Sequence, residues 1–146
     1  VNKVLSRKPP GSFWAISTVI LVWNAIGVFQ YVMLTTASAE QLSRSLSAAE
    51  LAIFQSTPGW VTGAFAVAVF GGLGGAIGLL ARKSWARTLF VVSLVAVLIQ
   101  HVWTFFLSGY LDIMPASAAI FPIIVVLVGI FQIWYARNGT RRGWLR

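Results

Sequence analysis

GWVTGAFAVAVFGGLGGAIGLLARKSWARTLFVVSLVAVLIQHVWTFFL, residues 59–107, is two apolar runs split by Arg82-Lys83-Ser84-Trp85. Each run has about 20 residues, enough at ~1.5 Å per residue to cross a hydrocarbon core of ~30 Å. Neither run contains an acid, and the cations gather at the break. The stretch reads as a helical hairpin threaded through a bilayer. Lipid offers the backbone no hydrogen-bond partner, so a spanning segment must satisfy its own N–H and C=O groups.

The pattern recurs on either side. Ser12 to Leu34 and Ala118 to Ala136 are further apolar runs without acids. With Trp60 to Ala81 and Ala86 to Leu107 they make four predicted spans. The expected fold class is an all-α membrane protein: a four-transmembrane-helix bundle forming one integral domain over residues 1–146. Composition agrees. Hydrophobic residues make up 58% of the chain and charged ones 10%, with a mean hydropathy of +0.84. A soluble domain carries about 25% charged residues, so this chain could not cover a water-facing globule.

A net charge of +8 would suggest nucleic acid in a soluble protein. The placement of the charges argues against that partner. Lys3, Arg7 and Lys8, then Arg82, Lys83 and Arg87, then Arg137, Arg141, Arg142 and Arg146 occupy three segments on one side of a four-span chain. The other side holds Arg44 and all the acids, Glu40, Glu50 and Asp112. The positive-inside rule then predicts cytoplasmic N and C termini. Trp14, Trp85 and Trp134 fall near the basic boundary, and Trp60 and Trp103 near the other, the depth that amphipathic rings prefer. A rival reading takes the first run as a secretory leader ending at Ala37-Ser38-Ala39. Its apolar core of about 22 residues exceeds the ~7–15 of such leaders, so a span is preferred.

The first outer connection carries helix signals of its own over about residues 38–56. Ser38 with Gln41, and Ser47 with Glu50, have capping-box spacing. Leu42, Leu46, Ala49 and Ile53 form one apolar stripe, and Glu40 and Arg44 can pair at i, i+4. A short amphipathic helical segment plugging the mouth of the bundle is expected, with a movable lid as the alternative. In the fourth run Pro115 and Pro122 crowd the outer end. Gly139, after Arg137-Asn138, predicts a helix stop.

Two constellations remain. In FGGLGGAIG, Gly71 and Gly75 form one GxxxG and Gly74 and Gly78 another, with Gly72 on the adjoining small face. Small residues let helices approach closely in lipid, and no Gly-Lys-Ser/Thr ending makes this a phosphate loop. The second constellation is polar. Ser17, Asn24 and Tyr31 recur every seventh residue, and Ser93, Gln100 and Thr104 share a face with His101 adjoining. A lone amide in hydrocarbon costs several kcal/mol, and an interhelical hydrogen bond returns only ~0.6–2 kcal/mol. Such groups either tie helices together or line a cavity. Asn24, Gln100 and His101 are therefore the substrate-binding candidates, with Trp23, Trp103 and Tyr31 as rings beside them. His101 reads more readily as a neutral imidazole donating to an oxygen than as a proton-coupling group.

A single histidine and no cysteine predict neither a metal site nor a cofactor. With no HExxH and no carboxylate pair inside a span, no catalytic residues are assigned and no enzyme is expected.

Several pieces together carry a resemblance: Phe13-Trp14, WNxxG at Trp23 to Gly27, PxWVT at Pro58 to Thr62, AVAVFGG at Ala66 to Gly72, LFVVSL at Leu89 to Leu94, and the WY…GW ending from Trp134 to Trp144. Their order resembles a group of small four-span bacterial inner-membrane proteins often labelled sugar transporters. The resemblance implies a bacterial inner-membrane location and a small-solute, sugar-like carrier acting as an oligomer. The alternative is a non-transporting accessory or assembly subunit of a larger membrane complex. Expected partners are the lipid bilayer and either a second copy or that complex. Small multidrug exporters are similar in span count, but their first helix carries an acid where this chain has Asn24.

Overall fold

The structure, a computed structural model, describes residues 7–146; Lys3 of the basic tail lies outside the described residues. In chain order the helices are α1 (Gly11–Thr36), α2 (Ala39–Ser45), α3 (Ala48–Ser56), α4 (Gly59–Leu80), α5 (Ala86–Val102), α6 (Tyr110–Ile113) and α7 (Ile120–Arg141). A π-helical turn, Trp103–Leu107, continues α5, and a 3-10 turn, Ala116–Ala119, leads into α7. Four stretches are long and apolar enough to cross a membrane: Gly11–Thr36, Gly59–Leu80, Ala86–Leu107 and Ala116–Arg141. The chain is an all-α, multi-pass membrane protein built as a four-helix bundle. Its basic segments gather at one end, the basic end, and α2, α3 and α6 cap the other, the loop end.

The α4–α5 hairpin is the centre of the bundle, and the glycine run explains why. A Cβ on Gly75 would lie 2.7 Å from the Phe90 ring, and one on Gly78 would lie 2.5 Å from the Trp85 ring. Those rings occupy the space that missing side chains leave. Gly71 lies against Ser93 and the Leu89 carbonyl, and Gly74 against the Leu89 side chain. Gly72 faces the other way as well: a Cβ there would collide with the carboxamide oxygen of Asn24 on α1. The small face therefore packs within the chain. α1 lies on α4, α4 on α5, and α5 on α7.

The packed core sits at the basic end. Phe13, Leu79 and Phe90 are exposed by 1% or less, and Ile20, Ala76, Ala86, Tyr135, Ala136 and Leu145 complete the cluster. Phe13 stacks on Tyr135 with ring centroids 6.2 Å apart and meets Trp144 edge-on at 5.6 Å. Outward-facing Val19, Phe29, Phe106 and Leu127 are largely exposed, as a lipid-facing surface requires.

Backbone caps close this end. α4 terminates with Arg82 in the left-handed region at φ 59°. The N–H of Lys83 reaches the Gly78 carbonyl at 2.8 Å and that of Arg82 the Leu79 carbonyl at 3.0 Å, the two bonds of a Schellman cap. An arginine here carries a conformational cost that glycine would not, roughly 1–2 kcal/mol. Its side chain accounts for the choice. Arg82 Nε donates to the Trp144 carbonyl at 2.8 Å and Nη2 to the Arg7 carbonyl at 3.0 Å. The Arg82 carbonyl accepts from the Arg146 N–H at 2.7 Å. One residue thus joins the N-terminal segment, the α4–α5 turn and the C-terminal segment.

The fourth span ends later than its sequence suggests. α7 runs through Gly139 to Arg141 and stops with Gly143 at φ 74°. The Trp144 N–H bonds the Gly139 carbonyl, and the Gly143 N–H the Thr140 carbonyl. Gly139 is not the stop. It makes room for Leu145, whose Cγ would lie 3.3 Å from a Cβ there.

At the loop end both capping boxes form. Ser38 accepts from the Gln41 N–H and Ser47 from the Glu50 N–H, with Gln41 and Glu50 reaching back to the cap N–H groups. Arg44 pairs with Glu40 across an exposed turn. The apolar stripe is broken at Leu46 into two helices, because the second box restarts the helix at Ser47.

Candidate functional site

Beyond the packed core the four spans separate around a cavity of about 360 Å³. Asn24, Gln30 and Trp23 from α1, Ser93, Gln100 and His101 from α5, Thr104 from the π-helical turn, and Gln132 from α7 supply its polar groups and one of its rings. Phe65 of α4 and Phe105, Phe121 and Pro122 supply much of the apolar wall. Among the described residues no Asp, Glu, Lys or Arg lines it, and His101 is the one titratable group that does.

The local reasons for these positions differ. Asn24 is held by its own helix: Nδ2 donates to the Ile20 carbonyl at 2.8 Å, which turns Oδ1 onto Gly72. Ser93 Oγ donates across the hairpin to the Ala68 carbonyl at 2.6 Å, so it serves as an α4–α5 tie. His101 approaches the Pro122 carbonyl of α7 at 3.4 Å, an arrangement that places the proton on Nε2. It also meets Phe105 edge-on at 5.7 Å. The histidine acts as the expected donor to an oxygen and joins α5 to α7.

The Gln100 and Gln132 carboxamides have no hydrogen-bond partner among the described residues, although Gln132 is only 4% exposed. Gln132 was not singled out in the sequence. An amide inside an apolar run is the same signal that marked Asn24, and it was legible in the fourth run too.

Two ring candidates lie elsewhere. Tyr31 is not at the cavity; it packs edge-on against Phe65 and Phe70 of α4, at 5.3 and 5.8 Å. Seven-residue spacing keeps it on the side of Asn24, but about two turns nearer the loop end that side is filled by the Phe65 and Phe70 rings of α4. Trp103 lies at the expected depth but is 8% exposed and turned inward. It lines a second, smaller hollow.

That hollow has a volume of about 220 Å³ and lies beneath α3 and the α2–α3 junction at Leu46. Leu46, Glu50 and Ile53 form its roof, and Trp103 and Tyr110 border it. Phe65, Gln100 and Thr104 belong to the walls of both spaces. The hollow is an antechamber, divided from the deeper cavity by three side chains. The Ser47 hydroxyl and N–H, at 2.7 and 2.8 Å, hold the Glu50 carboxyl below its ordinary range. Partial burial, reinforced by the negative charge of Glu50, pushes the Tyr110 hydroxyl up. Tyr110 Oη donates to the Ala118 carbonyl at 3.4 Å. That carbonyl lacks its usual helical donor because Pro122, four residues on, has no N–H.

Among the described residues no cluster of His, Asp or Glu could hold a metal ion. The chain matches no known protein family, no curated protein and no solved structure. Fold and site together define a four-span integral membrane protein with an internal, uncharged, amide-lined cavity.

Proposed function

We propose that the chain is a small-solute carrier of the bacterial inner membrane, with both termini in the cytoplasm. Its substrate is an uncharged, hydroxyl-bearing, sugar-like molecule held in the cavity. One observation carries this reading: an amide-lined space of about 360 Å³ reaches both Asn24 and His101. Small-molecule sites typically span about 300–1,000 Å³ and combine apolar walls with a few polar groups. The carboxamides of Gln100 and Gln132 supply donors and acceptors with no partner among the described residues. Trp23 and Phe105 offer flat apolar faces. The absence of charge on the walls favours a neutral solute, since a buried unpaired ion is costly. Aqueous access runs from the loop end through the antechamber, while the Phe13–Phe90–Tyr135 cluster shuts the basic end. The basic segments support the orientation by the positive-inside rule. All of the site's lining residues come from one chain, so a second copy is not required to build it.

Uptake into proteoliposomes with a panel of labelled sugars tests the proposal. Wild type should accumulate at least one sugar, and the Asn24→Ala/Gln100→Ala double variant should lose that uptake. Equal uptake by both proteins removes this cavity from consideration. A second reading, an accessory subunit, is favoured by one feature: only 6% of the most apolar window of the fourth span is buried, leaving a long face for a partner helix. Co-purification of a stoichiometric membrane partner in mild detergent, with no uptake, would support it.

A further inference from the structure

We infer that the cavity, besides admitting a solute from water, also takes an uncharged, hydroxyl-bearing lipid sideways from the bilayer. The inference rests on the reading of the cavity as a ligand site and adds a second ligand chemistry to it.

The first observation is the way the bundle is closed. α1 borders α4, α4 borders α5 and α5 borders α7, but α1 and α7 do not complete the ring by close backbone approach. They meet through side chains, Phe13 with Tyr135 at the basic end and Trp23 with Phe121 at 6.4 Å further up. The second observation is which lining residues also face outward. Ile26 is 51% exposed and Phe121 56%, yet both line the cavity, as does exposed Gln30. These residues belong to α1 and α7 alone, so the space opens sideways between those two helices.

Depth decides what lies outside that opening. Ile26 is ten residues short of the end of α1 at Thr36, or roughly 15 Å at ~1.5 Å per residue. An opening there faces hydrocarbon, not water. An apolar rim of Ile26 and Phe121 suits a methylene chain. Deeper in, Gln132 is only 4% exposed, and its carboxamide, at the cavity wall, has no hydrogen-bond partner among the described residues. Such a group is costly unless satisfied, and a hydroxyl head satisfies both its N–H and its C=O. With no cation on the walls, a phosphate head would arrive uncompensated, so the polar end is neutral.

The chain has no cysteine, so Val97→Cys places a lone thiol in the cavity wall. The full chain in phosphatidylcholine vesicles is treated with N-ethylmaleimide, with and without a monoacylglycerol or glucose. The inference expects monoacylglycerol to slow modification roughly tenfold and glucose to slow it less. Adding Gln132→Leu should abolish the lipid's protection while leaving thermal unfolding unchanged. Leu107→Cys on the lipid-facing surface should show no protection. Protection by glucose without protection by monoacylglycerol overturns the inference and leaves the solute reading standing. Protection by neither, or a thiol that never reacts, overturns both. Equal protection at Val97→Cys and Leu107→Cys reduces the lipid effect to bulk partitioning and overturns the inference alone.

Discussion

At the basic end, Phe13 lies between Tyr135 and Trp144, Gly75 receives the Phe90 ring, and the buried side chains are nearly all apolar. At the loop end the same four helices surround two hollows, and their walls carry amides and hydroxyls. Both ends draw on aromatic rings and small residues. The difference lies in how the rings are used. In the basic half a ring faces a glycine, so two backbones close on each other and dispersion contacts fill the gap. In the loop half rings such as Phe105 and Phe121 face the hollow, so they hold helices apart. Lipid provides no hydrophobic drive between helices, so the packed half supplies the closest contacts, while a few ties such as Ser93 to the Ala68 carbonyl and His101 to the Pro122 carbonyl join the helices of the half that is open to a ligand.

The largest expected effect breaks the packed half. Gly75→Leu forces a branched side chain into the Phe90 ring and should cost about 1–3 kcal/mol or more of unfolding free energy in detergent titrations. Gly63→Ala, where a Cβ would meet nothing within 4 Å, should leave stability within about 0.5 kcal/mol. Equal losses would erase the contrast. Next in size is Arg82→Ala, which removes two charge-assisted bonds to backbone carbonyls and should cost about 1–3 kcal/mol. Trypsin cleavage after Arg142 should then accelerate. Arg82→Gly should cost less than Arg82→Ala, because glycine removes the left-handed strain while losing the same bonds.

Smaller still is a gain. Ser17 Oγ is buried in the packed half without a partner among the described residues, so Ser17→Ala should stabilise by up to about 1 kcal/mol. A loss would mean that a bound water satisfies it. The smallest effect compares two caps within the loop end. The Glu50 carboxyl is held below its ordinary range in the folded chain, so its capping box contributes above the usual carboxylate range. That contribution is lost as pH falls through and below it. The Gln41 box does not titrate. Hydrogen exchange at the first turn of α3 should therefore accelerate in acid while that of α2, referenced to its intrinsic rate, does not.

Much of this architecture was legible because it depends on short-range rules. Run length gave the spans, Lys and Arg gave the basic end, and serine spacing gave both capping boxes. The glycines of FGGLGGAIG announced a close approach, and the structure supplies the partner rings. What could not be read was orientation about a helix axis. Tyr31 and Trp103 have depths fixed by residue count, but the faces they present depend on which neighbour each helix meets. Gln132 carried a readable signal and was passed over beside the prolines of the same run. The end of α7 was misplaced because Gly139 has two possible uses, as a stop or as a gap, and only the position of Leu145 distinguishes them.

The wide turn at Trp103–Leu107 has a consequence for the whole rim of the molecule. Its closing bond runs from the Ser108 N–H to the Trp103 carbonyl, so it holds one residue more than an α-helical turn would. One surplus residue is worth about 100° of rotation about the axis. Everything after it, including the tyrosine that reaches the Ala118 carbonyl, takes its bearing from that single insertion. Deleting one residue there would shorten the third span by that residue at its loop end and swing the following segment to a different azimuth, like a key cut one notch short.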